Sequence, residues 1–461
     1  MLMETVKSPL VSGLPTRREF IKKTATAAAA IAATPLLRTP VYGQNQAPST
    51  GRIIGANDRI VVGYIGVGGQ GMAHVQLMQS NAAENNIAQA GVCDVWTKRV
   101  DQARQTIGGD CQGYDDYRKL LGRKDIDAVV IATHDIWHSQ CSVDAVNAGK
   151  HVYCEKPAAR YLGEVFDTYD AVKKTGKIFQ LGSQGCSGAA WHKAAEMIRA
   201  GKIGTLVWGQ GYYCRNSPKG EWNYAIDPAC TANNTNWETW LGRVHHRIPF
   251  NADHFFRWRK YYPYCAGMLG DLFPHRLHPL MLATGNPEFP SRVVCVGTKN
   301  IHTDKNTPDT PERDVPENLE LIAEFPSGAT LVVGASTVNA KSPGFVLYGH
   351  RATLEIGNMG ERMQLVPEKE FADEIDPETF DGLKPTEDIA VHEKNWFDCI
   401  RANKTPNANI DLAVRVQTVI SLGEMSDRLK VACLFDEKTR QVTTGNGQKV
   451  TPLTYGTLPL S

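Results

Sequence analysis

Arg59-Ile60-Val61-Val62-Gly63-Tyr64-Ile65-Gly66-Val67-Gly68-Gly69-Gln70-Gly71 reads as a buried strand running straight into a G-x-G-x-x-G turn made by Gly66, Gly68 and Gly71. The glycines answer three physical demands: a tight strand-to-helix turn, a backbone that can approach a pyrophosphate, and close packing of the next helix on the sheet. That helix, expected over Met72 to Gln79, brings unpaired N–H groups and the positive end of its dipole to the same turn, where Gly69 and Gln70 also lie. The stretch predicts the start of a dinucleotide-binding domain.

A second apolar run, Ile87 to Val92, is closed by Asp94. An acid at the end of the second strand can accept both ribose hydroxyls and would repel a 2'-phosphate, so NAD is expected over NADP. Lys98 and Arg99 lie close enough in sequence to offset part of that repulsion. Asp94 also suits an N-cap for the helix after Trp96, and both roles are compatible.

Strand-like and helix-like segments then alternate. Strands are expected near Ile60 to Ile65, Ile87 to Cys93, Ala128 to Thr133, His151 to Cys154 and Ile178 to Leu181. Helices are expected between them, at Met72 to Gln79, Lys98 to Ile107, Ser139 to Ala148 and Glu164 to Lys174. Such alternation means parallel strands with right-handed crossovers. From Ser183 the pattern changes to a helix (Ala189 to Ala200), a strand (Leu206 to Tyr213), a long irregular stretch to Tyr264, a run of short strands, and two helices at Ile389 to Ala402 and Leu412 to Leu429. The expected fold is α/β: an N-terminal doubly wound parallel sheet over 58–182, and a C-terminal α+β domain with a large, mainly antiparallel open sheet over 183–461.

The net charge is +1, with 50 basic and 49 acidic residues and no long run of either sign, which argues against a nucleic-acid partner. Thr16-Arg17-Arg18-Glu19-Phe20-Ile21-Lys22, the Ala-rich Ala25 to Ala33 and the small-residue site Val41-Tyr42-Gly43 resemble a twin-arginine export signal over 1–43, followed by a linker over 44–57. This predicts the Tat translocase as a transient partner and a periplasmic or otherwise exported protein. The apolar stretch is too short for a permanent membrane anchor. Signal removal would take six basic and two acidic residues, leaving a charge of about −3. Eleven cysteines without a C-x-x-C pair suggest buried thiols rather than a disulfide framework or zinc ribbon, consistent with export of an already folded chain.

Ala148 to Pro157 ends in Glu155-Lys156-Pro157, a charged pair at the C-terminal end of a buried strand, the edge where open α/β sheets bind ligands. A lysine there could polarise or deprotonate a hydroxyl. With this triplet, the glycine turn, Asp127 to Thr133 followed by His138, and Gly267 to His275, the chain resembles the family of glucose-fructose oxidoreductase, inositol dehydrogenase and the rhizopine-catabolism protein MocA (Gfo/Idh/MocA). The resemblance covers nearly everything after the signal. It implies a Rossmann domain, a C-terminal domain that walls the substrate site and supports a homo-oligomer, and NAD(P)-dependent oxidation or reduction of a small sugar, cyclitol or polyol.

By the same resemblance Lys156 is the active-site lysine, Asp271 and His275 form its D-x-x-x-H pair, and Thr133, His138, Glu155 and Gln184 join the cofactor contacts. The pair's spacing fits i and i+4 on one helix, with Pro274 in the first turn and Pro279 deeper, so Asp271 is expected to orient His275 as the base. The chain departs from the family at His134, where proline is usual, and at His278, where aspartate is common. Asp271, His275 and His278, or His134 and His138, have spacings a metal could use, but no recognised ligand set accompanies them and no metal is expected. Five of the nine tryptophans, Trp208, Trp222, Trp237, Trp240 and Trp258, fall among tyrosines before Tyr264; their faces suit either a core or a sugar ring.

An exported enzyme has no replenished nicotinamide pool, so the cofactor is expected to be held. Turnover then needs a second substrate or a redox-neutral reaction. The alternative is therefore an NAD-dependent glycoside hydrolase or lyase working through a transient keto-sugar, although such enzymes usually lack the lysine of Glu-Lys-Pro.

Overall fold

The computed structural model describes residues 58–303, 312–357, 360–384 and 387–457. The expected signal and linker lie outside the described residues. Six strands, β1 (Ile60–Ile65), β2 (Ile87–Cys93), β3 (Gln112–Tyr114), β4 (Ala128–Ile131), β5 (His151–Glu155) and β6 (Phe179–Gly182), pair in parallel in the order β3-β2-β1-β4-β5-β6. Helices α1 (Gly69–Ser80), α2 (Thr97–Ile107), α3 (Tyr117–Leu121), α4 (His138–Asn147) and α5 (Leu162–Thr175) connect them. Residues of β1 and β4 such as Val62, Tyr64, Val129 and Ile131 are fully buried, as expected of strands covered on both faces.

Strand β3 and helix α3 were not anticipated. They are three and five residues long, too short to carry a periodic pattern, and α3 is specified mainly by Asp116, whose side chain accepts from Arg118 N. Strand order reverses between β1 and β4, so the crevice at their C-terminal ends opens between Gly66 and Thr133.

After α6 (Ala189–Arg199) comes the ten-stranded sheet, beginning with β7 (Leu206–Cys214). Four helices follow: α7 (Trp237–Leu241), α8 (Ala252–Arg257), α9 (Met268–Asp271) and α10 (Pro274–Ala283). The other strands are β8 (Arg292–Thr298), β9 (Asn318–Glu324), β10 (Thr330–Ser336), β11 (Phe345–Gly349), β12 (Ala352–Ile356), β13 (Met363–Pro367), β14 (Glu378–Phe380), β15 (Cys433–Asp436) and β16 (Gln441–Thr443). Their order is β14-β13-β12-β11-β7-β10-β9-β8-β15-β16, antiparallel except for β7 with β10.

Two late helices, α11 (Ile389–Ala402) and α12 (Ile410–Leu429), tie the sheets together. Helix α12 is buried nearly all round because it packs against both β8 and α5. Helix α11 returns to the first sheet, where Trp396, Phe397 and Ile400 join Ile60, Val62, Tyr64, Val130 and Tyr153 in one apolar cluster. Fully burying Trp396 and Phe397 contributes roughly 2–3 kcal/mol each. This return brings the 387–393 segment to the crevice. All eleven cysteines are free, and all but Cys214 are buried.

Candidate active site

A cavity of about 660 Å³ runs along the crevice, from Gly66, Gly68, Gly69, Gln70, Asp94 and Arg99 at one end to Thr133, His138, Glu155, Lys156, Gln184 and His275 at the other. Gly66 has φ 84°, and a Cβ there would stand 2.7 Å from Ala132 O, so both conformation and space require glycine. A Cβ on Gly71 would come 2.1 Å from Gly66 O; this third glycine does not line the cavity and serves the packing of α1 on β1. Gly69 faces open space, with nothing within 4 Å of a Cβ placed there. Bare backbone at the N-terminus of α1, where the first-turn N–H groups are free of intrahelical partners, fits a dinucleotide pyrophosphate.

Asp94 is buried. Its Oδ2 accepts from Val67 N at 2.9 Å and its Oδ1 from Trp96 N at 3.0 Å, so the acid braces the glycine turn as well as facing the cavity. It does not cap α2, whose N-cap is Trp96. Of the two basic neighbours, Lys98 is turned away to Asp227 at 2.6 Å, whereas Arg99 lines the cavity and stacks over Phe255.

Glu155 sits on a buried network that sequence reasoning missed. His74 on α1 lies between Glu155 Oε1 at 2.9 Å and Glu393 Oε1 of α11 at 2.6 Å. Burial works against the imidazolium, but hydrogen bonds and charge from the two carboxylates prevail and raise its pKa to about 9. Glu155 is held down at about 2: burial opposes its ionisation, but His74 and neighbouring cations outweigh it. Gln70 and Gln184 also donate to Glu155 Oε1, at 3.2 and 3.4 Å. His138 is buried between Pro157 O at 2.7 Å and Thr133 O at 3.1 Å, and burial lowers its pKa. It fixes the loops around the cofactor end while lining the cavity.

At the far end the expected pairing is replaced by another. Helix α9 ends at Asp271 and α10 begins at Pro274, so Asp271 and His275 do not share a helix. The Asp271 carboxylate accepts from Lys156 Nζ at 2.7 Å, Arg259 Nε at 3.0 Å and Trp222 Nε1 at 3.1 Å, and the two cations hold its pKa far below the usual range against the opposing effect of burial. His275 Nδ1 instead lies 3.3 Å from Glu387 Oε1, two residues before α11. Asp271 therefore positions Lys156, and Glu387 is the carboxylate beside His275. Glu387 has φ 68°, a strained conformation for a non-glycine residue. Pro279 lies inside α10 without ending it.

His134 is buried flat against Trp240, with ring centroids 4.4 Å apart, and burial drops its pKa to about 3. His278 Nδ1 meets Pro274 O at 3.0 Å within its own helix. Among the described residues no group of three or more His, Cys, Asp or Glu side chains could hold a metal ion. Of the five tryptophans, Trp240 and Trp258 line the cavity with Tyr224, Phe255 and Phe256. Trp222 serves Asp271, Trp237 packs in an apolar cluster, and Trp208 stacks on Tyr348 in the second sheet. Arg259 and Asp135 also line the cavity and had been overlooked. Asp135 lies only two residues beyond Thr133 at the ligand-binding edge, a signal the sequence does contain.

Residues 60–183 match the family described as "Oxidoreductase family, NAD-binding Rossmann fold", and 238–355 match the "GFO/IDH/MocA C-terminal domain". The chain belongs to the Gfo/Idh/MocA family. Its cofactor is NAD. Among curated proteins it is 30% identical over 210 residues to "Glycosyl hydrolase family 109 protein 2" of Shewanella sp. strain ANA-3, covering 43% of this chain and 45% of the relative. It is 29% identical over 215 residues, with the same coverage, to "Alpha-N-acetylgalactosaminidase" of Shewanella oneidensis. The matches thus span about half the length of these relatives. Among solved structures, levoglucosan dehydrogenase in complex with NADH and levoglucosan superposes with TM-score 0.61 at 20% identity, covering 79% of this chain and 95% of that one. An oxidoreductase domain protein from Kribbella flavida gives 0.64 at 20% identity, covering 82% and 100%. At that identity the likeness is one of fold.

Proposed function

We propose that this Gfo/Idh/MocA protein uses tightly held NAD to oxidise or reduce a CH–OH group of a sugar, cyclitol or related polyol. The observation that carries the reading is the convergence of Lys156, Asp271 and His275 at the end of the cavity opposite the glycine turn, beside the aromatic side chains of Trp258 and Tyr224. When bound there, NAD supplies the acceptor for the hydrogen that leaves the carbinol carbon with its electron pair.

The chain's own residues move the proton. His275, faced by Glu387, takes it from the hydroxyl. Lys156 donates to Asp271 O at 2.9 Å and Asp271 Oδ1 at 2.7 Å, leaving one of its three N–H groups for the developing alkoxide. Lys156→Met and His275→Ala should each slow single-turnover reduction of bound NAD by at least ~100-fold while the NAD content of the purified protein is unchanged. Reduction at the wild-type rate in both variants would refute the assignment.

A second reading, a redox-neutral glycoside hydrolase or lyase, is supported by the names of the curated relatives. Lys156 favours the first. Export by the twin-arginine route would supply the protein with cofactor loaded before translocation. A homo-oligomer built on the second sheet is supported by Val294, Val296 and Ile322, which are exposed on neighbouring strands β8 and β9; native mass spectrometry tests both subunit number and retained cofactor.

A further inference from the structure

His275 and Lys156 account for the hydroxyl that reacts, and two further groups of the same cavity lack partners. Asp135 lines it, is 3% exposed, and its carboxyl takes no hydrogen bond from any described residue. An aspartate in a turn ordinarily caps a helix; here the 3₁₀ turn Asp135–Trp137 has His134 at its N-cap and no side-chain cap bond. A Cβ on Gly270 would stand 3.3 Å from Asp135 Oδ2, so the bare glycine makes room for the carboxyl against the residue before Asp271. Arg259 also lines the cavity. Its Nε donates to Asp271 Oδ1 at 3.0 Å and its guanidinium lies 4.1 Å over the ring of Trp258, which fixes its plane, while neither Nη group meets an acceptor among the described residues. An acceptor without a donor and a donor without an acceptor thus both stand at Asp271, and among the described residues no ion pair joins them.

We propose that Asp135 and Arg259 form a subsite for one neutral hydroxyl, that of the carbon next to the one oxidised, and that the substrate is therefore a sugar or cyclitol with a free vicinal diol at the reacting position. The proposal rests on the oxidoreductase reading above and deepens it. A hydroxyl meets both needs at once: its O–H donates to the Asp135 carboxylate and its lone pairs accept from an Arg259 Nη. A substrate anion would satisfy Arg259 but bring a second negative charge to Asp135, and a substrate ammonium would do the reverse. The vicinal position follows from Asp271. Lys156 Nζ and Arg259 Nε both donate to its Oδ1, at 2.7 and 3.0 Å, so the donor for the reacting oxygen and the donor for the second hydroxyl stand side by side, as hydroxyls on adjacent carbons do.

The electrostatics agree with an unmet carboxyl. Burial is the largest influence on Asp135 and, with repulsion from Asp271, outweighs the attraction of Arg259, Lys156 and Arg160, raising its pKa to about 7. Asp271 is buried too, but there Lys156 and Arg259 outweigh burial and hold the pKa far below the usual range. A hydroxyl bound at Asp135 supplies the missing hydrogen bond and offsets the removal of water from the carboxyl. A substrate without that hydroxyl leaves both groups unmet, which is how sites built for a hydroxyl reject analogues that lack it.

The test uses the NAD-loaded protein and a panel of hexoses, methyl hexosides and cyclitols, following single-turnover reduction of bound NAD at subsaturating sugar. The carbon oxidised is read from the keto product by NMR, and the best substrate is then compared with its monodeoxy analogues in wild type and Asp135→Leu. In wild type the analogue deoxygenated next to the oxidised carbon should react roughly 10–100-fold more slowly, the range of a hydrogen bond to a charged group. Asp135→Leu should slow the parent sugar by a similar factor with its NAD content unchanged, yet reduce NAD with that one analogue at least as fast as wild type does. A residue that merely supports the fold would slow both sugars alike. Asp135→Asn, which keeps the side chain's shape and loses its charge, should give the same pattern at smaller size and stands in for a leucine variant that loses its NAD. Losses that multiply when variant and analogue are combined, or a parent sugar that reacts at the wild-type rate in both variants, would overturn the proposal. A wild type that reduces its NAD with no member of the panel would instead remove the oxidoreductase reading, and this proposal with it.

Discussion

Replacing His74 by Gln removes a buried imidazolium that two carboxylates hold in place. Its pKa of about 9, against 6.5 for the free side chain, corresponds to roughly 3 kcal/mol at 1.36 kcal/mol per pH unit. Because the folded pKa lies above the unfolded one, this stabilisation is fully present below about pH 6.5 and is lost as the pH rises through about 9. Wild type should therefore lose roughly 5 °C or more of thermal midpoint between pH 6.5 and 9.5, taking ~2 °C per kcal/mol for a chain of this size. His74→Gln should be less stable at pH 6.5 and nearly flat over the same range. Differential scanning calorimetry at several pH values reads the difference between the two curves, which cancels the titration of groups elsewhere. Parallel curves for the two proteins would refute the claim that His74 carries charge between Glu155 and Glu393. The same loss should loosen Glu155, so NAD should dissociate faster from wild type above pH 9.

Asp94→Ala should weaken NAD binding by ~1.5–3 kcal/mol and narrow any preference over NADP; equal affinity by calorimetry on stripped protein would count against the ribose role. Glu387→Gln should slow single-turnover reduction about tenfold, ~1.4 kcal/mol, and shift its pH profile, with Glu387→Asp partly restoring both; an unchanged profile would make Glu387 a partner of Arg276 alone. Changing Arg17 and Arg18 to Lys should keep the precursor in the cytoplasm, and undiminished periplasmic recovery would exclude the twin-arginine route.

The cofactor half of this protein was legible because its recognition is local. A turn fit for a pyrophosphate is made of backbone, its conformation is dictated by neighbouring glycines, and Gly66 to Gly71, Asp94 and Glu155-Lys156 each sit at the end of a strand whose apolar run announces it. The parallel sheet and the long helices followed from the same short-range patterns, while β3 and α3, three and five residues long, were too short to leave one. The catalytic end was another matter. The i, i+4 spacing of Asp271 and His275 was read as one helix, but the chain breaks at Leu272 and Phe273 and sends the aspartate to Lys156. His275 meets Glu387 and His74 meets Glu393 across more than a hundred residues, because the apolar face of α11 seeks the first sheet and brings Glu393, on the helix, and Glu387, two residues before it, to the crevice. No spacing in the chain encodes such a meeting; the burial of Trp396 and Phe397 does, and His74 holds its charge through neutral pH only because tertiary packing sets Glu155 and Glu393 on either side of it, against the opposing effect of burial.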